Sequence, residues 1–125
     1  MGYESRLYVV DEYGDFETEC SDGKKRPYAS VLATMNLACC GSLWSDTPAK
    51  CVISNDEGEE LITDRYGKLL TSSTVEDTIE KLKQIVEEDN YRRAKYALSI
   101  LQEFKRQIDN GEWEGETIRV YHYGY

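Results

Sequence analysis

The chain has 125 residues, a length that one domain can fill, with 40% hydrophobic and 31% charged residues. Its net charge of −9 argues against direct binding to nucleic acid, because phosphate contacts need clustered Lys and Arg. No apolar run approaches the ~18 residues of a membrane span, and the first residues lack a signal-peptide pattern. We therefore expect one domain over residues 1–125, in the cytoplasm and away from membranes.

The first predicted element is a β-strand in "YESRLYVVDEY", where Ser5, Leu7 and Val9 share one face at a period of two. Gly14 and Gly23 mark turns on either side of "DFETEC". That stretch is predicted to be a short, charged return strand.

An early helix is predicted next, because Pro27 suits the first turn of a helix. In the following "YASVLATMNLACC", apolar residues recur at helical spacing: Tyr28, Val31, Leu32, Met35 and Cys39. Gly41 fits the helix end, and "GSLWSDTPAK" reads as a loop. The stretches "CVIS" and "ELITD" then read as the two strands of a hairpin around "NDEGEE".

Two helices are predicted before the end of the chain. The stretch "SSTVEDTIEKLKQIVEED" has a capping-box pattern, Ser73 with Glu76, and a regular apolar stripe. Asp89 or Asn90 is expected to end it and to cap "YRRAKYALSILQEFKRQIDNG", which Asn110 and Gly111 terminate. The Lys and Arg residues of the second helix are interleaved with Glu103 and Asp109, which indicates a solvated surface and not a nucleic-acid stripe.

The tail "ETIRVYHYGY" alternates cleanly, with Ile118, Val120 and His122 on one face. It is predicted to be a strand paired with the first one. The expected fold class is α+β, an antiparallel-rich sheet with one early helix and a helical pair before the C-terminal strand.

Two clusters of acidic residues stand out in the first half of the chain. Residues 1–60 hold 12 acids and 5 bases, a balance of −7, so this half carries most of the negative field. A continuous surface of this kind favours a basic protein partner. The candidate partner-binding residues are Asp11, Glu12, Asp15, Glu17 and Glu19 in the first cluster and Asp56, Glu57, Glu59 and Glu60 in the second.

No reaction chemistry is marked along the chain. The four Cys residues lack metal-site spacing, and His122 is the only His, so we expect no metal, no cofactor and no catalytic residues. His122 is interpreted as a partly buried strand residue and not as a general base. The ten Tyr residues, several of them near the two ends, are consistent with an interface or with a half-buried sheet face.

Three stretches, "GYESRLYVV", "DEGEELITDRYGKLLT" and "VYHYGY", resemble small uncharacterised phage and prophage proteins of Gram-positive bacteria. The family has no established activity or site residues, so the resemblance implies context alone. Small acidic phage proteins often bind host proteins, including defence nucleases such as CRISPR effectors.

These observations favour a non-enzymatic, phage-type protein-binding module that inhibits a host nucleic-acid-binding or defence protein through its acidic hairpins. The partner would be a host protein with a basic surface. Two alternatives stay open at this point. One is a binder or hydrolase of a small molecule or nucleotide signal, with a pocket around His122. The other is an accessory phage protein that self-associates through an edge formed by its C-terminal strand.

Overall fold

The computed structural model describes residues 5–12, 17–19, 23–37, 43, 45–54, 58, 60–63, 69–89, 91–113 and 117–124. Eight strands and two helices lie within these ranges. The strands are β1 (Ser5–Asp11), β2 (Glu17–Glu19), β3 (Lys25–Pro27), β4 (Ser30–Asn36), β5 (Ile53–Ser54), β6 (Glu60–Leu61), β7 (Thr71–Ser73) and β8 (Ile118–Gly124). The helices are α1 (Val75–Asp89) and α2 (Arg92–Asp109), which lie between β7 and β8.

The main sheet has four antiparallel strands in the order β4-β1-β8-β7. Strand β8 pairs with β1 along its whole length, with Tyr8 directly opposite Tyr121. This confirms the α+β class, the helical pair and the predicted pairing of the two end strands. The C-terminal strand was also expected to form an edge of the sheet at which copies of the chain could associate. That expectation is wrong, because β8 lies between β1 and β7.

The early helix is wrong, because residues 30–36 form strand β4, paired with β1. A β-bulge explains why the pattern misled: Val9 lies opposite Ala33 and Val10 opposite Val31, which leaves Leu32 as an extra residue. Leu32 and Ala33 therefore both pack against the core that lies between the main sheet and the two helices. Two neighbouring residues on one face break the alternation of apolar and polar residues that would have indicated a strand. The local spacing of apolar residues favours a helix here, but the long-range pairing with β1 makes these residues a strand.

Two short hairpins form a second layer, here called the hairpin layer: β2 with β3, and β5 with β6. The β5–β6 hairpin was predicted, as were the strand in "DFETEC" and the turn at Gly23. The partner of that strand is a correction: it was expected to return after the turn at Gly14, and residues 25–27 were expected to lead into a helix, but β2 pairs with β3. Gly23 and Gly58, at φ of 81° and 80°, supply the left-handed conformations that their turns require. The two hairpins meet at a parallel bridge between Tyr28 and Val52. There the N–H of Ala29 donates to the Val52 carbonyl, and the N–H of Val52 donates to the Pro27 carbonyl, both at 2.9 Å.

Helix α1 buries its predicted apolar stripe, which includes Ile79 and Leu82, and α2 buries Ala97 and Leu101 in the same core. The predicted capping residues are corrected. Thr74 caps α1, because its Oγ1 accepts the N–H of Asp77 at 3.0 Å, and Ser73 instead lies in β7. The N-cap residue of α2 is Tyr91, and its side chain makes no capping hydrogen bond.

The central strands β1 and β8 are buried on both faces. Leu7, Val9 and Val120 pack beneath the helices, whereas Tyr8 and Tyr121 pack beneath the hairpin layer and the loop segments around Ala49 and Leu70. The main sheet is thus the middle of three layers. Within the described residues, no helix has both the length and the apolar character to cross a membrane.

Candidate functional site

Five of the nine predicted partner-binding residues lie within the described part of the chain: Asp11, Glu12, Glu17, Glu19 and Glu60. The remaining four, Asp15, Asp56, Glu57 and Glu59, lie outside it. Glu17, Glu19 and Glu60 are exposed, while Asp11 and Glu12 are half-buried. The described acids therefore divide into an exposed set on the hairpin layer and a pair at the end of β1.

The exposed acids of the first hairpin lie on its outer strand. Glu19 is opposite Lys25 and Glu17 is opposite Pro27, while Thr18, between them, is opposite Arg26. Glu17 and Glu19 therefore point to one side of the hairpin, and Thr18 and Arg26 to the other. Both Glu residues are exposed, so their side of the hairpin is accessible to solvent.

Tyr28 connects the two hairpins. Besides the backbone bridge to Val52, its hydroxyl donates a hydrogen bond to the carboxylate of Glu60 on β6. Sequence reasoning missed this role because it placed Tyr28 on a helix, and no local signal distinguishes a tyrosine that spans two hairpins. The consequence is that exposed acids of both clusters belong to one continuous layer, on opposite sides of its pleat.

Glu12 has a structural role that its place in an acidic run did not indicate. Its carboxylate accepts a hydrogen bond from the hydroxyl of Tyr121, which in turn accepts the backbone N–H of Cys51 at 3.1 Å. Burial raises the pKa of Tyr121, and the nearby Glu12 carboxylate raises it further, so the phenol remains a hydrogen-bond donor. Glu12 therefore ties the end of β1 to the interior beneath the hairpin layer.

Cys51 is a free, buried thiol at this position. Burial raises its pKa more than the hydrogen bond with Tyr121 lowers it, which keeps the sulfur in the weakly nucleophilic thiol form. Cys20, Cys39 and Cys40 lie outside the described residues. Among those that are described, no three His, Cys, Asp or Glu side chains come together in a way that could hold a metal ion.

His122 is a buried strand residue, with 5% of its surface exposed. Its Nε2 lies 2.9 Å from the hydroxyl of Ser5, which is itself buried at the start of β1. The pair has the residue types of a nucleophile and a base, yet a substrate would need access to both groups. Their burial fits a structural hydrogen bond within the sheet.

A surface cleft of about 250 Å³ lies where α1 begins and α2 ends. Its lining residues are Thr74, Val75, Glu76, Lys105, Ile108, Asp109 and Ile118. Lys105 and Asp109 form an ion pair at 3.3 Å on its rim. His122 does not line this cleft, so the cleft lends no geometry to the predicted pocket around that residue.

Comparison of the chain with known proteins found no relative. Neither the protein-family models nor the curated proteins nor the solved structures contain a match to the chain.

Proposed function

We propose that the protein is a non-enzymatic binding module whose hairpin layer contacts a basic surface of a partner protein. The observation that carries the proposal is the connection made by Tyr28, which joins the acid-bearing hairpins through Val52 and Glu60. Because of this connection, the exposed carboxylates belong to one structural unit.

The arrangement suits a groove better than a flat patch. Glu17 and Glu19 point to one side of the layer, and Glu60 reaches Tyr28 on the other side. A groove contacts an inserted layer from both sides, so its Lys and Arg residues can meet both sets of carboxylates. Such complementary charges speed association and make it sensitive to salt.

Grooves lined with Lys and Arg bind the phosphates of nucleic acids. A nucleic-acid-binding protein is therefore the class of partner that suits an acidic layer. The resemblance of the sequence to small phage and prophage proteins supports a partner from a bacterial host. The proposed partner is thus a host nucleic-acid-binding or defence protein in the cytoplasm, which the acidic layer inhibits by occupying its groove.

A capture experiment with matched charge variants tests this proposal. The bait proteins are the wild type, E17K/E19K on the hairpin layer and E80K/E112K on the helix side. Each double variant changes the net charge from −9 to −5, since every Glu→Lys change adds two positive charges. The baits are exposed at low salt to a lysate of a Gram-positive bacterium, and the retained proteins are identified by mass spectrometry.

We expect the wild type and E80K/E112K to retain the same nucleic-acid-binding protein, and E17K/E19K to retain it about tenfold less well. Added DNA should release the captured protein, because it competes for the same groove. Equal retention by all three baits, or no specific partner at any salt concentration, would refute the proposal.

A further inference from the structure

The N-terminal half of α2 is a basic, exposed surface on an acidic protein. Arg92, Arg93 and Lys95 are all exposed, and the sequence from 91 to 102 contains no acidic residue. None of the three forms an ion pair with a described residue. Tyr96 lies beside them with 68% of its surface exposed. Among the described residues, two large hydrophobic side chains are exposed, and Tyr96 is more exposed than the other, Leu69.

The C-terminal half of the same helix behaves differently. Arg106 Nε donates to Glu103 at 3.0 Å, and Lys105 pairs with Asp109 at 3.3 Å. The hydrogen bond from Arg106 lowers the pKa of Glu103 to about 2. The expected interleaving of charges is therefore confirmed for this half alone.

The basic half costs the helix stability at its own N-terminus. The positive end of the helix dipole lies next to two Arg residues, the first turn contains no acid, and the Tyr91 side chain provides no cap. Arg92 and Lys95 are also like charges three residues apart. Local features that oppose folding without a compensating contact are typical of positions kept for function.

The neighbouring end of α1 has the opposite charge. Its last turn contains the exposed Glu87 and Glu88 and no basic residue, although bases are the favourable residues at a helix C-terminus. Since α1 ends at Asp89 and α2 begins at Arg92, these acids and bases lie at the same end of the helical pair. Adjacent acidic and basic patches on one surface are complementary to a copy of themselves.

We infer that this end of the helical pair is a dimer interface for a second copy of the chain. About a two-fold axis, Glu87 and Glu88 of one copy face Arg92 and Arg93 of the other, and the reverse contact forms as well. Tyr96 supplies the apolar contact, a residue type common at the centres of interfaces. The inference concerns the helix side and is independent of the hairpin layer.

Sedimentation at low and high salt tests the interface on the full chain. At an ionic strength of about 0.01 M, where charges act over about 30 Å, we expect a concentration-dependent rise towards twice the mass of one chain. At about 1 M, where the range falls to about 3 Å, the mass should return to that of one chain. R92E/R93E and E87K/E88K should each weaken the dimer about tenfold or more, because two-fold symmetry places every change at two contacts.

The four-residue variant E87K/E88K/R92E/R93E and an equimolar mixture of the two double variants should both restore the dimer. The double variants place acids at a helix N-terminus or bases at a helix C-terminus, so their thermal unfolding should show a fold at least as stable as the wild type. E17K/E19K should leave the dimer unchanged. A wild type that stays monomeric at low salt, a dimer that survives R92E/R93E, or a dimer lost only in E17K/E19K would overturn the inference.

Discussion

Tyr8 and Tyr121 lie directly opposite each other in the central strand pair, and both rings are buried beneath the hairpin layer. Their hydroxyl groups have different surroundings. The hydroxyl of Tyr121 bonds Glu12 and the backbone of Cys51, whereas that of Tyr8 has no hydrogen-bond partner among the described residues. A buried hydroxyl without a partner destabilises the fold, while one that satisfies two neighbours stabilises it.

This contrast gives a matched pair of substitutions at the residue scale. Tyr121→Phe should lower the free energy of unfolding by about 1–3 kcal/mol, because it leaves Glu12 and the Cys51 N–H without their partner. Tyr8→Phe should change it by less than about 0.5 kcal/mol or increase it slightly. Urea titration of both variants measures the difference, and equal losses would contradict the hydrogen-bond assignment.

At the scale of elements, the helices followed their local signals and β4 did not. Each of α1 and α2 packs one face against the core, and such a face appears in the sequence as apolar residues at a period of 3.6. For β4, the bulge at Leu32 and the pairing with β1 decided the structure, and neither is visible from the spacing of its apolar residues. The predicted cap was displaced by one residue because four consecutive hydroxyl residues, Thr71 to Thr74, precede α1, and the spacing alone does not show which of them is the cap.

The cap of α1 provides a test at this scale. Thr74→Ala should lower the free energy of unfolding by about 1 kcal/mol, since it removes the hydrogen bond that satisfies the N–H of Asp77. Ser73→Ala is the control, because Ser73 belongs to β7 and its change should cost less than about 0.5 kcal/mol. Chemical denaturation of the two variants decides between the caps, and a larger loss for Ser73→Ala would restore the originally predicted capping box.

At the scale of the whole molecule, burial of both faces of β1 and β8 is the central feature. The hairpin layer and nearby loop segments cover Tyr8, Val10 and Tyr121, so they complete a core as well as carrying acids. The edge strand β7 is covered in the same way: its Ser72 N–H donates to the Thr47 carbonyl at 2.8 Å. The short hairpins and the loop segments therefore form a second hydrophobic core on this side of the main sheet.

Leucine truncations test whether the second core is equivalent to the first. Leu82→Ala beneath the helices and Leu70→Ala on the other side of the sheet should each cost about 2–5 kcal/mol, because both side chains are fully buried. Leu69→Ala is the control, as this neighbour is 45% exposed and its loss should cost less than about 0.5 kcal/mol. A small effect of Leu70→Ala in calorimetry would mean that the second core contributes little.

The sequence alone determined the α+β class, the two C-terminal helices, the hairpin turns and the alternating strand that pairs with the first one. Except for the pairing of the two end strands, these features are local, because the apolar period and the turn residues are set by neighbours in the chain. Only the tertiary structure decided that residues 30–36 form a strand, that Glu12 bonds Tyr121 and that Tyr28 joins the two hairpins. Each of these depends on contacts between residues that are distant in sequence, and the free energy of such contacts is absent from any local pattern.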